Sequence, residues 1–251
     1  MRTGNPALKN ETFKNLAVEG ERMTLNGTVG KCALMLVLLL ITAIWTWGQF
    51  MQAVSTAGVE AAMSEIMPYI WGGLIGGLVL ALITIFAKKW AAITAPLYAL
   101  AEGFALGGIS AFFELQYPGI VIQAVGLTFG TLAALLIAYR TGLIKVTENF
   151  RMGVAAATGG IFLLYMANML LRMFTDISIP FIHESGWMGI GFSLFVVVIA
   201  ALNLVLDFDF IESGVEMGAP KYMEWFGAFG LIVTLVWLYL EILRLLGKLR
   251  Q

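Results

Sequence analysis

Apolar runs of about 20 residues, long enough to cross a ~30 Å hydrocarbon layer as helices, recur seven times along this 251-residue chain. They occupy residues 32–51, 68–87, 91–113, 119–139, 152–171, 187–211 and 223–246. Inside a bilayer, backbone polar groups must be satisfied within the protein, which favours helices for segments of this length. The composition agrees: 60% of the residues are hydrophobic and only 12% charged, whereas a soluble domain carries about 25% charge. The expected fold is therefore all-α, a polytopic membrane protein built as a seven-transmembrane-helix bundle. The first run starts after a polar stretch and is long enough to be a retained span, not a cleaved signal. This divides the chain into a polar tail, residues 1–30, and a transmembrane domain, residues 31–251.

Aromatic residues support the segmentation, because Trp45, Trp47, Tyr69, Trp71, Trp90, Tyr139, Trp187, Tyr222 and Trp225 gather toward run ends, as an interfacial belt requires. Lys and Arg set the orientation. Arg2, Lys9, Lys14, Arg22, Lys31, Lys88, Lys89, Arg140, Lys145, Arg151 and Lys221 fall on one side if the spans alternate, and the opposite loops 52–67 and 114–118 have neither residue. The positive-inside rule then places the N-terminus in the cytoplasm. Against this stands the basic tail Arg244, Lys248 and Arg250, which seven spans put on the far side. A six-span plan with a re-entrant segment remains an alternative.

Several function classes are excluded or disfavoured. The net charge is −1 and basic residues are dispersed, so nothing suggests nucleic-acid binding. A single cysteine, Cys32, allows neither an intrachain disulfide nor a cysteine metal cluster. The only histidine, His183, lies in a loop near Asp176 and Glu184 and reads as solvated. Zinc-protease and serine-hydrolase signatures are missing, so no enzyme and no obligatory cofactor are expected. Glycines spaced by four, Gly72/Gly76, Gly73/Gly77, Gly103/Gly107 and Gly126/Gly130, read as close helix packing.

The informative residues are acids in or against the apolar runs, since a carboxylate at membrane depth costs roughly 2.5–3.5 kcal/mol on insertion scales. Asp207 and Asp209 close the sixth run, Glu241 sits in the seventh, and Glu102 interrupts the third. Asn203 precedes Asp207 by one turn, placing an amide on the same face. Glu241 precedes Arg244 by three residues, so an intrahelical ion pair is its simplest explanation. If the turn between the last two spans occupies Ser213 to Pro220, Asp207 lies roughly 9 Å from it and Glu241 roughly 30 Å. Glu224 then matches Asp207 better in depth, and Asp209 falls at the solvated boundary.

These segments resemble a known family. Leu204-Val-Leu-Asp207-Phe-Asp209-Phe-Ile211 resembles the sixth-helix segment of the Bax inhibitor-1 (transmembrane Bax inhibitor motif) family, and Leu238-Tyr-Leu-Glu241-Ile-Leu resembles its last-helix segment. The seven-span plan, the basic turn Lys88-Lys89, the Tyr98-to-Gly107 stretch and the tail with Asn5-Pro-Ala-Leu also fit, the last like a bacterial branch. The resemblance implies a bundle with the last helix central, in the inner membrane, and a pH-sensitive calcium leak governed by acids falling on Asp207 and Glu241. Lys88 or Lys89 falls where the family's arginine latches the closed state. Here Glu stands for Asp at 241 and Lys for Arg, and the stretch between the acids is longer.

Two carboxylates forced together share a proton and titrate as a pair. Deprotonated, Asp207 and Glu241 would offer Ca²⁺ two hard oxygen ligands, with Asn203 or backbone carbonyls completing the site. The expected partners are thus the lipid bilayer, protons and Ca²⁺, as permeant or bound ion. The alternative function is an interaction protein that regulates a membrane protease or another membrane protein partner through its polar tail.

Overall fold

Each apolar run folds into a helix, and most of these helices outrun the hydropathy that marked them. The computed structural model describes residues 21–175 and 186–251. Its helices are α1 (Leu25–Ala57), α2 (Val59–Phe86), α3 (Ala91–Gln116), α4 (Ile120–Arg140), α5 (Glu148–Thr175), α6 (Trp187–Glu216) and α7 (Met223–Leu249). All seven are long and apolar enough to cross a membrane, so the chain is a polytopic all-α membrane protein. Among the described residues the only β pairing is the isolated bridge between Arg22 and Pro220. His183, with Asp176 and Glu184, lies outside the described residues.

The helix ends carry the differences from the sequence reading. α1 starts at Leu25, ahead of the first apolar run, because Thr24 caps it by accepting the Gly27 N–H at 3.0 Å. Gly58, at φ +86°, makes the single-residue break between α1 and α2, a backbone conformation in which a Cβ would be strained. α2 therefore begins at Val59 and includes Glu60, Glu65 and Pro68, although its apolar run begins only at Pro68. α6 continues through Ser213 to Glu216, and the turn lies later than expected, with Gly218 at φ +65°. Asp207 is thus nine residues inside the end of α6, roughly 14 Å at 1.5 Å per residue, deeper than the sequence implied.

The chain divides into two compact units. One comprises the described residues up to Val121 with Ile211–Val233. Here glycine brings backbones together: a Cβ on Gly103 would lie 2.0 Å from Thr42 Oγ1 and 2.3 Å from the Leu39 carbonyl, and one on Gly107 2.3 Å from the Ala43 carbonyl. Gly73 abuts the Ala101 carbonyl in the same way. α3 is thereby clasped by α1 on one face and α2 on another, and Phe50, Ala53, Ala62, Ile66 and Ala111 form a core. The expectation of close packing fails for Gly72, Gly126 and Gly130, which face open space.

The second unit comprises Ile122–Phe210 and the chain from Thr234. Its core joins Ile161, Val196 and Ile199 with Phe192, Leu202 and Trp237. Among the described helices α7 has the largest buried share, 72% of its most apolar stretch against 50% or less in the others.

Candidate functional site

In the second unit the acids of α6 and α7 have distinct surroundings. Asp207 is 3% exposed, and the Thr234 hydroxyl of α7 hydrogen-bonds to it. Its Oδ2 is buried and has no hydrogen-bond partner among the described residues. One turn earlier Asn203 donates to Thr158 Oγ1 of α5 and to the Ile199 carbonyl, both at 2.8 Å. Among the described residues it does not bond to Asp207, for its amide is already engaged by Thr158 of α5 and by the Ile199 carbonyl of its own helix.

Asp209 is not a solvated boundary acid. Its carboxylate meets Nη2 of Arg151 at 2.5 Å, and the side chains are 18% and 7% exposed. Arg151 stands in the first turn of α5, so the base that read as a marker of orientation is buried against α6.

Glu241, 2% exposed, is gripped from three directions. Nη1 of Arg244 donates to both carboxylate oxygens at 2.7 Å. The Tyr165 hydroxyl donates at 3.2 and 3.3 Å, and Trp237 Nε1 at 3.3 Å. Arg244 also donates to the Tyr165 oxygen at 2.8 Å and lies 5.4 Å over its ring. The pair anticipated from i, i+3 spacing is present, with Tyr165 and Trp237 added.

Among the described residues no hydrogen bond joins Asp207 to Glu241. Their partners explain why: Thr234 precedes Glu241 by seven residues on α7, roughly 10 Å along the axis. No group of three or more His, Cys, Asp or Glu side chains suited to a metal occurs among the described residues. The remaining cations of the tail also have partners, Lys248 donating to the Gly189 carbonyl at 3.0 Å and Arg250 to Gln123 at 2.8 Å. Those contacts give the basic tail a structural role that its charge alone did not reveal.

In the first unit Glu224 is fully buried in the first turn of α7. Its Oε1 accepts the N–H and the hydroxyl of Thr24, each at 2.9 Å, and Lys31 of α1 donates to Oε2. A Cβ on Gly27 would lie 2.2 Å from this carboxylate, so the absence of a side chain there makes the seat. Lys31 also lies 5.3 Å over the Trp225 ring.

Lys88, in the 3₁₀ turn Lys88–Trp90 between α2 and α3, is half-buried with its ammonium 5.5 Å over the Phe226 ring, whereas Lys89 is exposed. Glu102 lies at the edge of burial on α3, its carboxylate in the space left by Gly77 and near Tyr98.

Sequence reasoning missed Thr24, Gly27 and Lys31 around Glu224, and Arg151, Thr158, Tyr165 and Thr234 around the other polar groups. For three of these a signal existed: Arg151, Thr158 and Tyr165 repeat every seven residues on α5, which puts polar groups on one face of a span.

Comparisons with curated proteins and with solved structures find no match. A family model described as Bax inhibitor 1 like matches residues 5–251. That match takes in all seven helices and every acid above; the chain belongs to the Bax inhibitor 1 like family.

Proposed function

We propose that this protein is a passive, pH-sensitive cation leak, with Ca²⁺ as its first candidate ion, and that Asp207 is the group whose protonation sets conduction. The observation that carries the proposal is the buried Oδ2 of Asp207, which has no hydrogen-bond partner among the described residues. A carboxyl oxygen in that position is satisfied by a proton or by a cation, and the two compete for it.

The separate surroundings of Asp207 and Glu241 favour two successive stations over one shared site. In that scheme Glu241 is neutralised by Arg244 at rest and becomes a cation ligand when Arg244 withdraws. Arg244 is free to do so, its side chain being 39% exposed. Glu224, already held by Lys31 and Thr24, acts as a structural tie. Lys88, over Phe226, is the better-placed latch of the two lysines.

In this reading the protein sits in a bacterial inner membrane with its N-terminus in the cytoplasm, an orientation that the positive-inside rule supports. No catalytic step and no resident cofactor belong to this reading.

Calcium entry into liposomes containing the purified protein, followed with a trapped indicator across pH 5 to 8, tests it. Asp207→Asn is expected to abolish the pH dependence, and Glu241→Gln to change the rate while leaving a pH response. Flux and pH profile unchanged in both variants would refute the proposal.

A further inference from the structure

Seven residues advance a helix by almost two turns, returning to nearly the same face. On α5 that interval joins Arg151, Thr158 and Tyr165, and each meets a polar group of α6 or α7. Arg151 donates to Asp209 at 2.5 Å, Thr158 accepts from Asn203 at 2.8 Å, and Tyr165 bridges Glu241 and Arg244. From Arg151 to Tyr165 the ladder climbs roughly 21 Å of a hydrocarbon layer about 30 Å thick.

Helix adhesion accounts readily for a single polar rung, worth on average about 0.6 kcal/mol in a membrane protein. Three in register on one face, ion-paired at both ends and neutral between, form a polar file. Two buried side-chain atoms lack a hydrogen-bond partner among the described residues, Arg151 Nε and Asp207 Oδ2. Both belong to this unit, and such atoms are where water or an ion finds a place.

We infer that this face of α5 is the route of the ion. Thr158 and Asn203 line its middle, and the Arg151–Asp209 and Arg244–Glu241 pairs close its two ends. The inference rests on the leak reading and adds its path. It also assigns the moving gate: Arg244 has 39% of its side chain exposed and so has room to swing away, whereas Arg151 is held at 7%.

The test uses full-length protein in liposomes, with Cys32→Ala removing the native thiol. A cysteine is placed at Thr158 or, as a control, at Leu163, which is 67% exposed on α5 and faces lipid in the proposed scheme. A membrane-impermeant, water-soluble thiol reagent then probes each site, with and without Arg244→Gln. Thr158→Cys is expected to react at least about tenfold faster than Leu163→Cys once Arg244 is replaced, a difference of about 1.4 kcal/mol in barrier. Equal rates, or no acceleration by Arg244→Gln, would overturn the route. In parallel, Thr158→Val combined with Asn203→Leu should lower calcium flux about tenfold, while Thr158→Ser retains it. Lost thermal stability with unchanged flux would mark the rungs as adhesion only and overturn the inference. A wild-type chain without flux would defeat the leak reading itself, and the labelling would still decide whether water reaches Thr158.

Discussion

Glu241 and Arg244 form one ion pair, yet removing either partner should have very different consequences. Arg244→Gln leaves a carboxylate that is 2% exposed with only the longer bonds from Tyr165 and Trp237, at 3.2 to 3.3 Å. Stranding one member of a buried pair costs about 3–5 kcal/mol. The surviving donors and the partial exposure of Arg244 put this case at the low end, about 3 kcal/mol. Glu241→Gln instead leaves a guanidinium that is 39% exposed and keeps both the Tyr165 oxygen at 2.8 Å and the Tyr165 ring, so its loss is about 1 kcal/mol. The double variant strands no charge and should also lose about 1 kcal/mol, giving a coupling energy of about 3 kcal/mol.

Reversible unfolding in mixed micelles, titrated with an ionic detergent and followed by tryptophan fluorescence, measures the cycle. Coupling below about 0.5 kcal/mol, the additive limit, would refute the assignment of Arg244 as the neutraliser of Glu241. So would a costlier Glu241→Gln. The same proteins in liposomes connect the energetics to function: Arg244→Gln should raise the calcium leak, and Glu241→Gln in that background should reduce it.

The remaining predictions address packing and pH. Gly103→Ala should lose about 1–3 kcal/mol by overpacking, because its Cβ falls on the Leu39 carbonyl and on Thr42, whereas Gly126→Ala meets nothing within 4 Å and should melt with the wild type; equal melting temperatures for the two would refute the close approach of α1 and α3. Outside the spans, the Lys221 hydrogen bond and charge hold the Glu21 carboxyl below its usual range, and the hydrogen bond and charge of Glu21 hold Lys221 above its own. The carboxylate contribution is present above the unfolded value and lost as pH falls through the lowered folded one, while that of Lys221 is lost only as pH rises through its raised value. The pair is therefore constant from about pH 5 to 9, and Lys221→Ala should leave the pH profile of the leak unchanged in that window.

Hydropathy made the spans legible because a membrane interior selects so strongly against charge, yet it placed their ends wrongly for a definite reason. The first turns of α1 and the stretch Val59–Met67 of α2 are helical through capping and backbone bonding, which an apolar count does not register. Local pairs were legible too: Glu241 and Arg244 sit one turn apart, and spacing alone named them. The Glu224 site was not, because Thr24 and Lys31 reach it from about 200 residues away, and Gly27 contributes only by lacking a side chain. Glycine spacing showed which residues share a face without showing what the face meets, hence the opposite fates of Gly103/Gly107 and Gly126/Gly130. Asp207 was recognisable as costly, but its partner Thr234 carries no charge and stands out in no composition.

The two units draw on a different balance of contacts, and the difference bears on where a proton can act. Among α1, α2 and α3 the closest approaches are glycines against carbonyls, which is dispersion and shape, indifferent to pH. That unit also holds two carboxyl groups, Glu102 against Gly77 and Glu224 on Thr24 and Lys31. Along α5, α6 and the later part of α7 the contacts are Arg151 to Asp209, Asn203 to Thr158, Thr234 to Asp207 and the Glu241 cluster. Three of those four include a carboxyl group, whose protonation exchanges an acceptor for a donor and removes a charge. A change of pH therefore alters the bonding of this second unit while leaving the glycine contacts of the first as they are. That selectivity is what a proton-set leak requires, because a conductive rearrangement must loosen one set of helix contacts without dissolving the bundle. In the proposed leak this singles out Asp207: Asp209 and Glu241 are each paired with a guanidinium, whereas among the described residues Asp207 has a hydroxyl on one oxygen and no hydrogen-bond partner on the other.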